Sequence, residues 1–364
     1  MHRVVLLVPG DLNMRTGGYG YDRAMVEGLR RLGWQVDVCG LDASYPWPTD
    51  EARHATARLM DALPDGALVL ADGLAFGAMA DEAERHAARL RLVALVHHPL
   101  ALESGLTEAR AAALFASERR ALRCARGVVV TSDATVHTLE PYGMPATSIV
   151  VVPPGTDAAP EARGWRGVGP VMRAERPVML LCVASITPRK GHRLLIDALQ
   201  QLQCPNRWWL RIAGNEQMDA STARVLRQQV TDACLGDRVE FLGELSADAL
   251  AGAYDEADVF VLPTFFEGYG MAVAEAVAHG LPVVSTRTGA IADMVDAHSG
   301  RLVEVGDGDG LRDALRAVIT DDDLRASLTE GARQRREALP RWSASVRLMA
   351  DALERWSHDG NIQR

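Results

Sequence analysis

The sequence predicts an α/β protein built from two parallel sheets, each covered by helices. Three observations predict it. Short, apolar, β-branched runs recur along the chain in two series. The stretches between them repeat apolar residues at helical spacing, as in Ala24–Leu32 and His192–Leu202. A stretch carrying Pro160, Gly164, Gly167, Gly169 and Pro170, Gly155–Arg176, separates the series. Continuous apolar runs suit strands buried on both faces. Their alternation with helices implies parallel order, and 364 residues suffice for two such domains.

The first series of expected strands is Val4–Val8, Gln35–Cys39, Leu68–Ala71, Leu92–Val96, Val128–Thr131 and Ile149–Val152. The second is Val178–Val183, Leu210–Ala213, Val239–Leu242, Val259–Leu262, Val283–Ser285 and Arg301–Val303. The expected domains are residues 1–165 and 166–340, both Rossmann-like. Residues 341–364 form a last helix that packs back on the first domain, with Ser343 as its N-cap. Trp208-Trp209 opens a strand and reads as core. In such sheets ligands bind beyond the carboxyl ends of the strands, so two facing sheets would share one cleft.

Hydrophobic content of 48% and charged content of 24% are those of a globular protein. A net charge of −9 argues against nucleic acid as a partner. Cys39, Cys124, Cys182, Cys204 and Cys234 lack C-x-x-C spacing and read as small buried hydrophobes in a reducing compartment. The apolar start, Val4–Val8, is too short and too early for a signal peptide. No run reaches the roughly 18 apolar residues of a membrane span. The expected location is cytoplasmic, with loose membrane attachment compatible. Arg119, Arg120, Arg123 and Arg126 read as a solvated helix face.

Lys190 is the sole lysine among 39 Lys and Arg residues. It sits in Thr187-Pro188-Arg189-Lys190-Gly191, between an expected strand and an expected helix. A compact ammonium at such a turn suits a phosphate, where a planar guanidinium is not equivalent. After strand Val259–Leu262 comes Pro263-Thr264-Phe265-Phe266-Glu267-Gly268-Tyr269-Gly270-Met271-Ala272-Val273-Ala274-Glu275-Ala276. Gly268 and Gly270 permit backbone angles that expose N–H groups. The helix start at Gly270–Met271 presents unpaired donors and a partial positive charge. Glu275 lies inside a helix otherwise so apolar that its carboxylate needs a partner. A pair of sugar or ribose hydroxyls is one, and a nearby Arg or backbone N–H is another.

These residues, with Ala276, Ala278, Gly280, Pro282 and Val283, are in register with E-G-x-G-x-x-x-x-E-A-x-A-x-G-x-P-V. That pattern resembles the signature of family 4 of the retaining glycosyltransferases, which have the GT-B fold. Val152-Pro153-Pro154-Gly155-Thr156-Asp157 resembles the family's entry into its linker, and Arg189-Lys190-Gly191 resembles its phosphate-binding turn. The resemblance implies that Glu275 accepts hydrogen bonds from ribose hydroxyls and that Glu267 faces the donor sugar. It implies that backbone N–H groups of Gly268, Tyr269, Gly270 and Met271 hold the sugar and diphosphate. Lys190 would neutralise the diphosphate. His97, in Leu95-Val96-His97-His98-Pro99, would sit near the reacting carbon. Gly17 and Gly18 would approach the donor phosphate. Many members carry an Arg five residues before the lysine; here that position is Ser185, so either Arg189 or another Arg such as Arg15 supplies a second charge, or the site works with one. Asp72 would contact the acceptor or cap the next helix. Tyr19 and Asn13 are further acceptor-site candidates.

The implied chemistry is a retaining, metal-independent transfer of a hexose from a nucleotide-diphosphate sugar, UDP or GDP favoured. The acceptor is a small molecule, a sugar or a lipid-linked group, and no bound cofactor is expected. A charge-assisted hydrogen bond contributes about 1.5–3 kcal/mol and a helix start about 0.3–1 kcal/mol. Lys190 and the helix together thus stabilise the leaving diphosphate by on the order of a hundredfold in rate. Two rival readings remain open at this point. One is a GT-B glycosyl phosphorylase with Lys190 as the Schiff-base lysine for pyridoxal phosphate. The other is a catalytically silent nucleotide- or carbohydrate-binding protein.

Overall fold

A computed structural model describes residues 2–164, 176–202, 204 and 207–358. The chain forms two compact units, Met1–Gly155 with Pro340–Arg364, and Thr156–Leu339. The expected domain boundary between residues 165 and 166 lies outside the described residues. Of the expected linker, residues 156–164 are bound into the second unit. Ala162 donates to the His279 carbonyl and Gly164 to that of Asp255.

The first unit holds β1 (Arg3–Pro9), β2 (Gln35–Leu41), β3 (Leu68–Asp72), β4 (Arg91–Val96), β5 (Gly127–Val130) and β6 (Ile149–Val151). They pair in parallel in the order β2-β1-β3-β4-β5-β6. The second holds β7 (Val178–Val183), β8 (Trp208–Ala213), β9 (Val239–Gly243), β10 (Val259–Leu262), β11 (Val283–Thr286) and β12 (Gly300–Val303). Their parallel order is β12-β11-β10-β7-β8-β9. Each expected strand coincides with one of these. Central strands are buried along their length, as in β3, β5, β10 and β11. That burial is why β5 and β10 read as unbroken apolar runs.

The covering helices follow from apolar stripes and side-chain caps. In helix Gly308–Thr320, Leu311, Leu315, Val318 and Ile319 are all fully buried, each contributing about 1.5–3 kcal/mol. Thr16, Thr49, Thr107, Ser132, Asp219, Ser246, Asp307 and Asp321 accept a backbone N–H three residues on at their helix starts. Such caps contribute about 1 kcal/mol each.

The last helix, Trp342–Ser357, packs on the first unit. Its approach to helix Gly17–Arg31 is so close that a β-carbon at Gly28 would overlap Val346. Ser343 does not cap this helix. It lies within the first turn, and Arg341 holds the N-cap position without a side-chain bond. Trp208 is core, but Trp209 on the alternate face is 48% exposed, because successive strand residues point to opposite faces. Cys182 is buried and Cys39, Cys124 and Cys204 are partly so. Cys234 is exposed, against expectation, at a position of positive φ that closes a helix.

Strand order decides where a site can form. In each unit the first strand has neighbours on both sides, β2 and β3 around β1, β8 and β10 around β7. Connections leaving such strands diverge and open a crevice beyond their carboxyl ends.

Candidate active site

In the second unit the two turns at this switch point are joined to each other. β7 runs into the turn Pro188–Lys190, and β10 runs into Pro263-Thr264-Phe265-Phe266-Glu267. The Arg189 carbonyl accepts from Phe265 N at 2.7 Å and Thr264 Oγ1 at 3.0 Å. Gly191 follows in the left-handed region, φ 71°, where a β-carbon would overlap the Pro263 carbonyl oxygen. Only glycine allows that approach.

This joint brings three charges together. Lys190 Nζ donates to Glu267 Oε1, and the Arg189 guanidinium lies 3.8 Å from the same oxygen while donating to the Phe266 carbonyl at 2.8 Å. The side chains of Lys190 and Glu267 are 17% and 9% exposed. Burial would push the Glu267 carboxyl up, but the charges of Lys190 and Arg189, with hydrogen bonds from Lys190 and Thr264, outweigh it and hold it below its usual range. Beyond Glu267 the chain turns at Gly270, φ 95°, into helix Met271–Ala278, which has no side-chain cap. Glu275, partly buried, accepts from the Tyr254 hydroxyl at 2.9 Å through Oε2. Burial raises its carboxyl above the ordinary range, offset in part by Tyr254. The Tyr254 ring stacks on His279 with centroids 4.9 Å apart.

The first unit gathers a different set. Asp72 ends β3, His97 follows β4, and Asp22 comes from helix Gly17–Arg31 after β1. His97 Nε2 lies 3.5 Å from Asp22 Oδ1 and 3.6 Å from Asp72 Oδ2. The Tyr21 ring stands edge-on to the imidazole at 5.3 Å. Burial disfavours the charged ring, but the two carboxylates overcome it and hold His97 well above its ordinary value. The imidazolium supplies the positive charge that the two buried carboxylates need.

Residues 171–335 match the family model for glycosyl transferases group 1, and residues 55–159 match that for glycosyltransferase family 4. The chain belongs to the family 4 glycosyltransferases. A D-inositol 3-phosphate glycosyltransferase of Corynebacterium jeikeium is 32% identical over 216 residues, 56% of this chain and 52% of that one. A GDP-mannose-dependent phosphatidylinositol monomannoside mannosyltransferase of Mycobacterium tuberculosis is 28% identical over 228 residues, 57% of this chain and 56% of that one. The chain thus spans about half the length of the curated relatives it matches. Among solved structures, the sucrose-phosphate synthase of Thermosynechococcus elongatus superposes with a TM-score of 0.82 at 21% identity, over 98% of this chain and 99% of that one. Anabaena HepE in complex with UDP-glucose gives 0.77 at 18% identity, over 98% and 100%. The fold is GT-B.

For this family 4 chain, the second unit brings Arg189, Lys190 and Glu267 into contact, with Gly268, Tyr269, Gly270, Met271 and Glu275 following along one loop and helix. In the first unit Gly18 lies on the His97 ring, where an added methyl would touch Cδ2 at 3.5 Å. Gly17 opens the helix, capped by Thr16. Asp72 caps the next helix through the Leu74 N–H at 2.8 Å and reaches His97 with its other oxygen. The Tyr19 hydroxyl donates to the Pro9 carbonyl at 2.6 Å and is pushed up to about 12 by burial and by Asp72, Asp22 and Asp11. Asn13 is exposed and bonded to Asp11 at 3.0 Å. His98 pairs instead with Glu103 at 3.1 Å.

Two residues escaped the sequence reading. Asp22 carried a signal: it shares the apolar stripe of its helix with Met25, Val26 and Leu29, where a carboxylate is out of place. Tyr254 carried none, since a buried tyrosine on a helix looks like core.

Proposed function

We propose that the chain is a retaining, metal-independent glycosyltransferase that moves a hexose from a UDP- or GDP-sugar to a small-molecule, sugar or lipid-linked acceptor. The observation that carries this reading is the meeting of Lys190 and Arg189 on Glu267, in the loop that leads into helix Met271–Ala278, whose start has no side-chain cap. Departure of the nucleotide leaves negative charge on the β-phosphate, and these groups meet that charge. Arg189, beside Lys190 on one carboxylate, takes the place of the cation absent at Ser185. Glu267 keeps the lysine ammonium in position and faces the donor sugar. Glu275, with Oε2 held by Tyr254, accepts from the ribose. His97 contacts the sugar near the reacting carbon.

In a retaining transfer the acceptor hydroxyl attacks the face that the phosphate leaves. The C1–phosphate oxygen bond breaks, the C1–acceptor oxygen bond forms, and the departing phosphate oxygen takes the acceptor proton. No carboxylate base and no bound cofactor are then required. Relatives named for GDP-mannose or inositol 3-phosphate, and a structural neighbour holding UDP-glucose, support both bases as candidates. Among the described residues no helix is long and apolar enough to cross a membrane, which suits work in the cytoplasm, with loose membrane attachment compatible.

A thermal-shift panel of UDP, GDP and ADP with their glucose, mannose and N-acetylglucosamine esters tests this reading. One nucleotide series is expected to stabilise the chain, by about 2.7 kcal/mol at a hundred times its Kd. Silence across the panel would sink the reading. A yellow chromophore fixed by borohydride would favour the phosphorylase instead.

A further inference from the structure

We infer that Asp22 is a positioning residue that, with Asp72, turns His97 Nε2 inward and presents Nδ1 to the substrate as a proton donor. The inference rests on the reading that His97 contacts the sugar. It starts from what Asp22 does not do. Its side chain is fully buried, and neither oxygen makes a hydrogen bond among the described residues. Asp72 has a second duty as a helix cap; Asp22 has none. A buried carboxylate that bonds nothing is costly to the fold. What it faces is the His97 ring at 3.5 Å.

The ring is fixed from several sides. Helix Gly17–Arg31 supplies Asp22, the edge-on Tyr21 ring and the Gly18 backbone, and the end of β3 supplies Asp72. Arg23, next along the helix, acts on Asp22, and Tyr19 faces both carboxylates. Tyr21 is itself anchored by its hydroxyl to the Val152 carbonyl at 3.1 Å. Nε2 is buried while the His97 side chain keeps 23% exposure, so Nδ1 is the nitrogen left to a ligand. Two carboxylates around Nε2 favour the ring that carries both protons. Such a ring donates to a sugar oxygen and accepts no proton. This agrees with a reaction in which the leaving phosphate collects the acceptor's proton.

Ring NMR of the full chain across pH tests the inference without relying on turnover, with the His97 signal assigned by its loss in His97→Asn. In the wild type His97 is expected to titrate well above the ordinary value of about 6.5. Asp22→Asn should lower that midpoint by at least tenfold in proton concentration, and Asp22→Glu should restore it. The basic limb of the kcat profile should move with it, which a merely structural loss would not produce. A wild-type midpoint at the ordinary value overturns the inference, as does an unchanged midpoint in Asp22→Asn. If the midpoint moves but His97→Asn turns over like the wild type, the clamp on His97 stands and its role at the sugar falls.

Discussion

The two units solve one architectural problem with opposite charge. Each is a six-stranded parallel sheet whose first strand lies at a switch point. In the second unit the switch-point turns gather two cations around one carboxylate, Lys190 and Arg189 on Glu267. In the first they gather two carboxylates around one imidazole, Asp22 and Asp72 on His97. The histidines show the contrast again. His97 is held charged by its neighbours, whereas His192, one residue past Gly191, is driven down to about 4 by burial and by Lys190. Parallel order alone therefore places a site without choosing its charge. The residues that the turns and first helices carry make that choice.

The comparison breaks most easily at Lys190. Lys190→Ala leaves Glu267 with Arg189 at 3.8 Å as its remaining cation. We expect transfer to fall by about a hundredfold or more and the second unit to lose about 3 kcal/mol, the cost of breaking a buried pair. Wild-type turnover of this variant in a nucleotide-sugar assay would remove the leaving-group role. Lys190→Arg should keep most of the stability and lose about tenfold in rate; full activity would make the lone lysine an accident of codon use.

A smaller effect sharpens the contrast at Glu275. Glu275→Ala should weaken binding of the preferred nucleotide by about tenfold to a hundredfold in calorimetry, roughly 1.4–2.8 kcal/mol. It should leave the His97 titration alone, because Asp22 and Asp72 set that titration. Unchanged affinity would move the ribose away from this helix.

The smallest effect concerns pH and stability. The folded pKa of His192 lies below its unfolded value, so its contribution is present above about pH 6.5 and is lost as pH falls toward 4. Near pH 5.5 the loss is about 1 kcal/mol. The raised pKa of His97 gives the opposite sign: its contribution is present below its ordinary value and is lost as pH rises through the folded one. Thermal midpoints of His192→Asn should therefore fall less than those of the wild type between pH 7 and pH 5.5. An equal fall would place the acid sensitivity elsewhere.

The strands were legible because a strand buried on both faces must be apolar throughout, as β5 and β10 are. The candidate loop after β10 was legible because glycines, a helix start and two carboxylates at fixed spacing occupy one stretch of chain. Arg189 and Lys190 lie 78 and 77 residues from Glu267 in the chain, and no spacing along the sequence measures their distance in space. Trp209 and Ser343 misled because a strand's alternation and a helix's first residue are set by neighbours that the local sequence does not contain.

By itself the sequence determined the fold class, the two series of elements and the chemistry available after each strand. These are properties of local composition and period. Only the tertiary structure decided that Lys190 and Arg189 converge on one carboxylate, that Tyr254 holds Glu275, and that Asp22 faces His97. Those pairings come from adjacent parallel strands and close backbone approaches. Charges a few ångströms apart in a buried site act strongly on one another however far apart they lie in the chain.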